Sequence, residues 1–212
     1  MMIKVDIELV TGFIGSGKTK FINSLIENTF VPKENIIVIQ YECGETNIAE
    51  KIQCNSSVKI VEVNPNESLN FKSLKYMIEL HKPHRVIIEF NGTRKVEDFI
   101  ASIQNSKIKK NINTVYHLTD AITFETYIKN MGNLLIGGIS NSDLIIINNC
   151  EKVDNNNLKY IKTKINELNP YAYVLELKRI SELSSMLKRE DLLSNGFFKK
   201  LNVSFKNLIM KR

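Results

Sequence analysis

The sequence predicts an α/β fold, a mainly parallel sheet covered by helices on both faces, and three observations predict it. Short, continuously apolar runs alternate with segments of helical spacing along most of the chain. Polar residues with chemical potential fall just after those apolar runs, where a parallel sheet gathers its ligands. Near the start, one apolar run leads straight into a glycine-rich loop and then an amphipathic helix.

The elements follow in order. Val5, Ile7, Leu9 and Val10 make the first strand, and Lys18–Asn28 the first helix, with Phe21, Ile22, Leu25 and Ile26 on one face. Pro32 and Asn35 mark a turn before the buried strand Ile36–Ile39. Val58–Val63 is a β-branched strand, and Ser68–His81 a helix that Pro83 ends. Val86–Ile88 is a short apolar strand, Val96–Ile103 a helix and Thr114–Leu118 a strand. The spacing then predicts one helix over Ala121–Leu135 and the most apolar strand over Leu144–Ile147. Leu158–Leu168 is helical until Asn169-Pro170, Tyr171–Leu175 is the last strand, and Ser181–Leu193 a helix stopping at Asn195-Gly196. Residues 197–212 suit no single element.

The loop after the first strand reads Gly12-Phe13-Ile14-Gly15-Ser16-Gly17-Lys18-Thr19, the G-x-x-x-x-G-K-[ST] pattern of a phosphate-binding P-loop. Its glycines let the backbone curl so that successive N–H groups, Ser16 among them, face an anion. The following helix adds its positive N-terminal end. Lys18 can reach the β- and γ-phosphates, and the Thr19 hydroxyl can ligate Mg²⁺. The expected architecture is therefore a P-loop NTPase three-layer sandwich.

At 212 residues, 43% of them hydrophobic, the chain suits a single nucleotide-binding domain, 1–212, with a C-terminal helical extension over 176–212. No apolar run is long enough for a transmembrane segment, and the N-terminus enters the first strand with no signal peptide. Cys43, Cys54 and Cys150 are widely spaced and form no C-x-x-C, so reduced thiols and a cytoplasmic location are expected. The net charge of +6 is Lys-rich and interspersed with acids; from Lys178 onward nine basic residues face three acidic ones. That is read as a solvated face rather than a nucleic-acid surface, with docking of an acidic partner as the alternative.

Two further strand ends carry chemistry. Glu89, ending the strand before Phe90-Asn91-Gly92, is an acid placed for Mg²⁺, directly or through water, and the Gly92 N–H can approach a γ-phosphate. Asn148-Asn149-Cys150-Glu151 sits where a base would be read. An Asn148 amide can donate to guanine N7 and O6, and the Glu151 carboxylate can accept from N1–H and N2–H. His81 and His84 flank a proline and are not expected to converge on a metal.

Taken together these motifs resemble the nucleotide-binding domain of the CobW/HypB/UreG metal-chaperone GTPases, nearest the CobW-like branch, over roughly residues 4–176. Gly12–Thr19 resembles that branch's P-loop. Glu42-Cys43-Gly44-Glu45 resembles its Glu-Phe-Gly-Glu, and Glu89–Gly92 its Glu-x-x-Gly. Thr119-Asp120-Ala121 resembles Val-Asp-Ala, and Ser142-Asp143 resembles Ala-Asp. Asn148–Glu151 resembles Asn-Lys-x-Asp, and Asn169–Ala172 resembles Asn-Pro-x-Ala. The resemblance implies GTP and GDP binding with Mg²⁺, metal or cofactor delivery to a client, and a nucleotide-linked homodimer. With no evident arginine finger, hydrolysis is expected to be slow until an activating protein binds. Glu42 or Glu45 is expected to orient the attacking water or to belong to a switch.

Three departures stand beside the resemblance. Asn149 replaces the Lys and Glu151 the Asp of the base loop, which keeps ATP open as the alternative nucleotide. No Cys-x-Cys-Cys occurs near Asn64–Glu67, so any metal role is expected to be altered or indirect. The chain also ends soon after the nucleotide domain, with no room for the branch's C-terminal domain. Two rival readings remain: a nucleotide-dependent regulatory module with little hydrolysis, and a small-molecule kinase. The five arginines, Arg85, Arg94, Arg179, Arg189 and Arg212, form no lid-like cluster of the kind such kinases use.

Overall fold

The computed structural model describes residues 5–41, 46–64, 71–104 and 112–189. Glu42–Glu45 and residues 65–70, 105–111 and 190–212 lie outside the described residues, and with them the Glu42 and Glu45 expectations. Among the described residues seven strands form one sheet in the order β3-β2-β4-β1-β5-β6-β7, and every pairing is parallel. They are β1 Asp6–Thr11, β2 Ile36–Gln40, β3 Val58–Glu62, β4 Arg85–Glu89, β5 Ile112–Asp120, β6 Leu144–Asn148 and β7 Tyr173–Glu176.

Parallel pairing requires crossovers, and helices supply them. They are α1 Lys18–Thr29, α2 Glu50–Gln53, α3 Phe71–His81, α4 Val96–Gln104, α5 Phe124–Asn130, α6 Gly132–Ser140, α7 Asn155–Leu168 and α8 Leu183–Arg189. Alternation along the strands divides the core in two. Val10, Val38, Ile87, Leu118 and Ile146 face Phe21, Leu25, Ile52 and Leu187, the layer of α1, α2 and α8. Leu9, Ile39 and Ile88 face the α3 and α4 side, while Ile145 and Ile147 face Phe124, Ile139 and Ile161 of α5–α7.

The single helix expected over Ala121–Leu135 is two helices. Met131 leaves helical geometry at φ −133° and ψ 30°, ending α5 and starting α6 in one residue. The second helix then runs on to Ser140 through Gly137 and Gly138, residues of low helix propensity. Close packing explains them: a Cβ on Gly137 would collide with the Glu97 carboxylate of α4, and one on Gly138 would lie 2.6 Å from the His117 ring.

Beneath the sheet, away from the P-loop, Arg85 is buried. Its Nε lies 3.2 Å from Glu34 Oε1, and its Nη1 donates to Thr29 Oγ1 at 2.8 Å and approaches Glu8 Oε2 at 3.4 Å. Removing one member of a buried pair leaves a desolvated charge. Arg85→Met should lower unfolding free energy in urea by about 3–5 kcal/mol, and adding Glu34→Leu should recover much of it. A single-variant loss under about 1 kcal/mol would show the pair to be effectively solvated.

Candidate nucleotide-binding site

The register brings the polar strand ends to one edge. Val10 pairs with Glu89, Gln40 with Glu89, Thr11 with His117, and Asp120 with Asn148. The chain leaving β1 curls into the Gly12–Thr19 loop above that edge, and α1 starts at Lys18. Gly12 sits at φ +133°, and a Cβ there would lie 2.2 Å from Leu118 O. Both facts require glycine.

Lys18 is only 4% exposed. Its ammonium donates to Gly12 O at 2.9 Å and Phe13 O at 3.0 Å, so the loop closes around its own lysine. Ser16 Oγ is buried in the same loop with no hydrogen-bond partner among the described residues, a polar atom of the kind a bound anion would satisfy. Thr19 Oγ1 donates to Glu89 Oε1 at 2.7 Å, and Gln40 Nε2 donates to Glu89 Oε2 at 2.9 Å. A hydroxyl and a carboxylate oxygen side by side fit a small, hard divalent cation. Gly92 lies against the loop: a Cβ on it would be 2.4 Å from Gly12 O and 2.8 Å from Phe13 Cα. Gln40 went unnoticed in the sequence because it reads as the polar tail of an apolar strand.

A cleft of about 460 Å³ opens above these groups. It is lined by Gly15, Gly17, Lys18, Thr19 and Glu89 at one end and by Asn148, Asn149 and Ile180 at the other; Lys20 and Thr46 also contribute. Nothing in the sequence singled out Ile180 or Thr46. Asn149 takes the left-handed conformation at φ 58° and donates its amide to Asp120 Oδ2 at 2.7 Å. Asn148 Oδ1 accepts from the Asn149 N–H at 2.8 Å. The Glu151 carboxylate lies beyond the cleft lining, where it accepts from Arg179 Nε.

Two other motifs serve the frame. Asp143 Oδ2 accepts from the Val115 N–H at 2.8 Å, stitching the start of β6 to β5. Asn169 donates to Ile139 O and Ser142 O and accepts from the Tyr171 and Ala172 N–H groups, riveting the end of α6 to the turn before β7. His84 Nδ1 accepts from the Asn35 N–H, whereas His81 is exposed at the end of α3. Among the described residues no group of three His, Cys, Asp or Glu could hold a metal ion, and no helix is long and apolar enough to cross a membrane.

Residues 6–176 match the family model of the CobW/HypB/UreG nucleotide-binding domain. The chain belongs to this family. Zinc-regulated GTPase metalloprotein activator 1 of Dictyostelium discoideum is 24% identical over 240 residues, covering 92% of this chain and 49% of the relative. The chain thus spans about half the length of that relative. Among solved structures, hydrogenase maturation factor HypB from Archaeoglobus fulgidus superposes with a TM-score of 0.58 at 16% identity, covering 87% of this chain and 89% of its own. The Zn(II)-bound YjiA GTPase from E. coli superposes with a TM-score of 0.60 at 19% identity, covering 82% and 57%. Both likenesses concern the fold.

In this CobW/HypB/UreG domain a buried imidazole lies beneath the P-loop. Thr11 Oγ1 gives its proton to Tyr116 O at 3.0 Å, so at 2.9 Å it accepts from His117 Nδ1–H. His117 Nε2 is then an unprotonated nitrogen with no partner among the described residues. Burial, with the Lys18 charge adding to it, pushes the ring from 6.5 down to about 3. As pH falls below 6.5, the unfolded chain takes up a proton that the folded ring refuses down to about 3. Stability is therefore lost through that window, by up to about 1.4 kcal/mol per pH unit for this proton. His117→Gln should flatten the pH dependence of urea unfolding between about pH 6 and pH 4; an unaltered slope would contradict a neutral buried ring.

Proposed function

We propose that the chain binds GTP with Mg²⁺ and hydrolyses it slowly to GDP and phosphate, as a cytoplasmic, CobW-like module of metal or cofactor delivery. The observation that carries this reading is the Thr19–Glu89 contact at 2.7 Å beside the buried Lys18 ammonium, a paired oxygen set next to an anion cradle. The P-loop N–H groups of Gly15, Ser16, Gly17 and Lys18 would take the β-phosphate, and the Lys18 ammonium would move from its two carbonyls to the phosphate oxygens. Thr19 Oγ1 and Glu89, the latter directly or through water, would hold Mg²⁺, whose charge offsets that of the triphosphate. The Gly92 N–H would meet the γ-phosphate. Glu42 or Glu45 would orient the attacking water or belong to a switch.

At the other end Asn148 would donate to the base, and Glu151 would accept from it. The delivery role is supported by the relatives' own descriptions, a zinc-regulated GTPase metalloprotein activator and a hydrogenase maturation factor. The client, an activating protein and a nucleotide-linked homodimer belong to the same proposal, as does the assignment of 1–212 to one nucleotide-binding domain extended after residue 176.

The test is a titration of GTP, GDP, ATP and ADP with Mg²⁺, followed by measurement of released phosphate. Guanine nucleotides should bind preferentially and turn over slowly. Lys18→Ala should weaken binding by about 100-fold or more, because it removes a charge-assisted contact. Unchanged affinity in that variant would remove the P-loop from the reading, and preferential adenine binding would overturn the choice of GTP.

A further inference from the structure

Just beyond the lining at the base end of the cleft stands an ion pair that the Asn148–Glu151 motif alone does not foretell. Glu151 Oε1 accepts from Arg179 Nε, and no other hydrogen bond of this carboxylate is found among the described residues. The backbone holds both partners in place. The Cys150 N–H donates to Leu177 O at 3.0 Å, and the Leu177 N–H donates to Ile147 O at 2.8 Å. The segment after β7 is thereby fastened along the Asn148–Glu151 loop. Ile180, next to Arg179, reaches the P-loop: a Cβ on Gly17 would lie 3.1 Å from Ile180 Cδ1 and 3.7 Å from Asn148 Nδ2. The segment bearing Arg179 therefore forms one wall of the cleft's base end, with Ile180 as its apolar surface.

A flat base needs a face to pack on and an edge to be read. Asn149 lines the cleft with only a short polar side chain, whose amide donates to Asp120. Ile180 is the apolar group that lines the cleft there. Edge reading by a carboxylate normally uses both oxygens, one for each N–H of a 2-amino-6-oxopurine. Here one oxygen is held by a guanidinium, which prefers carboxylate partners of fixed geometry.

We propose that Arg179 is a specificity-determining residue: by holding Glu151 Oε1 it fixes the orientation of the carboxylate, so that the other oxygen reads the N1–H common to 6-oxopurines and selection for the 2-amino group is weakened. The inference deepens the nucleotide reading above and rests on it. The nucleotide class becomes 6-oxopurine nucleotides in general, inosine as well as guanosine, discriminated from adenine by the 6-oxo group and N1–H.

The experiment measures the affinities of GDP, IDP and ADP, with Mg²⁺, for the parent chain, Arg179→Ala and Arg179→Lys. Arg179 is 67% exposed, so its truncation removes no buried contact. The parent should bind GDP and IDP within about 3-fold of each other and both at least about 10-fold more tightly than ADP. Arg179→Ala should widen the GDP-to-IDP ratio to about 10-fold or more, because both Glu151 oxygens become available, while leaving ADP unchanged. Arg179→Lys, which keeps the charge but lacks the planar fork, should fall between the two. A parent that already rejects IDP by 10-fold or more, or a ratio that narrows or stays constant in Arg179→Ala, overturns the inference while guanine binding stands. ADP bound as tightly as GDP overturns the nucleotide reading itself.

Discussion

A buried ammonium shapes the site. Lys18 has almost no exposure, and burying a charge is tolerable only with close polar partners. The Gly12 and Phe13 carbonyls supply them, and they point inward only because the loop curls through the conformation that Gly12 adopts. The curl in turn demands that nothing project from Gly12 toward Leu118 O, nor from Gly92 toward Gly12 O. The loop is thus wrapped around its own cation, with the Ser16 N–H donating to Phe13 O at 3.2 Å.

The sheet supplies the rest by register alone. Parallel strands put all their carboxyl ends on one edge, so Gln40, Glu89, Asp120 and Asn148 come together although they are far apart in sequence. The two apolar layers fix the strands that place Glu89 2.7 Å from the Thr19 hydroxyl. Motifs that look functional in sequence divide here. Glu89 and Asn148 face the cleft, whereas Asp143 and Asn169 hold backbone groups of neighbouring elements.

Much of this was legible beforehand for a physical reason. Buried parallel strands are continuous apolar runs, and a glycine-rich loop between a strand and a helix has few other uses. Less visible were features set by tertiary contact. The break at Met131 carries no proline, and Gly137 and Gly138 look like helix breakers until Glu97 and His117 are seen against them. The short α2 is less than two turns long and has no periodicity to read. Within the site, the residue types at Lys18, Thr19 and Glu89 pointed to the phosphate and cation chemistry proposed for them. The attachment of Glu151 to Arg179 did not, because it links two loops 28 residues apart through an exposed side chain.

The most direct test of the account is a crystal structure of the protein with Mg²⁺ and a non-hydrolysable GTP analogue. The phosphates should lie in the Gly12–Thr19 loop, with the Lys18 ammonium transferred from the Gly12 and Phe13 carbonyls to phosphate oxygens. The Thr19 hydroxyl oxygen should ligate the cation, with Glu89 beside it directly or through water. A nucleotide bound elsewhere, or one whose phosphates make no contact with Lys18 and whose cation lies away from Thr19 and Glu89, would contradict the claim that this buried lysine and strand-end glutamate form the phosphate and metal site.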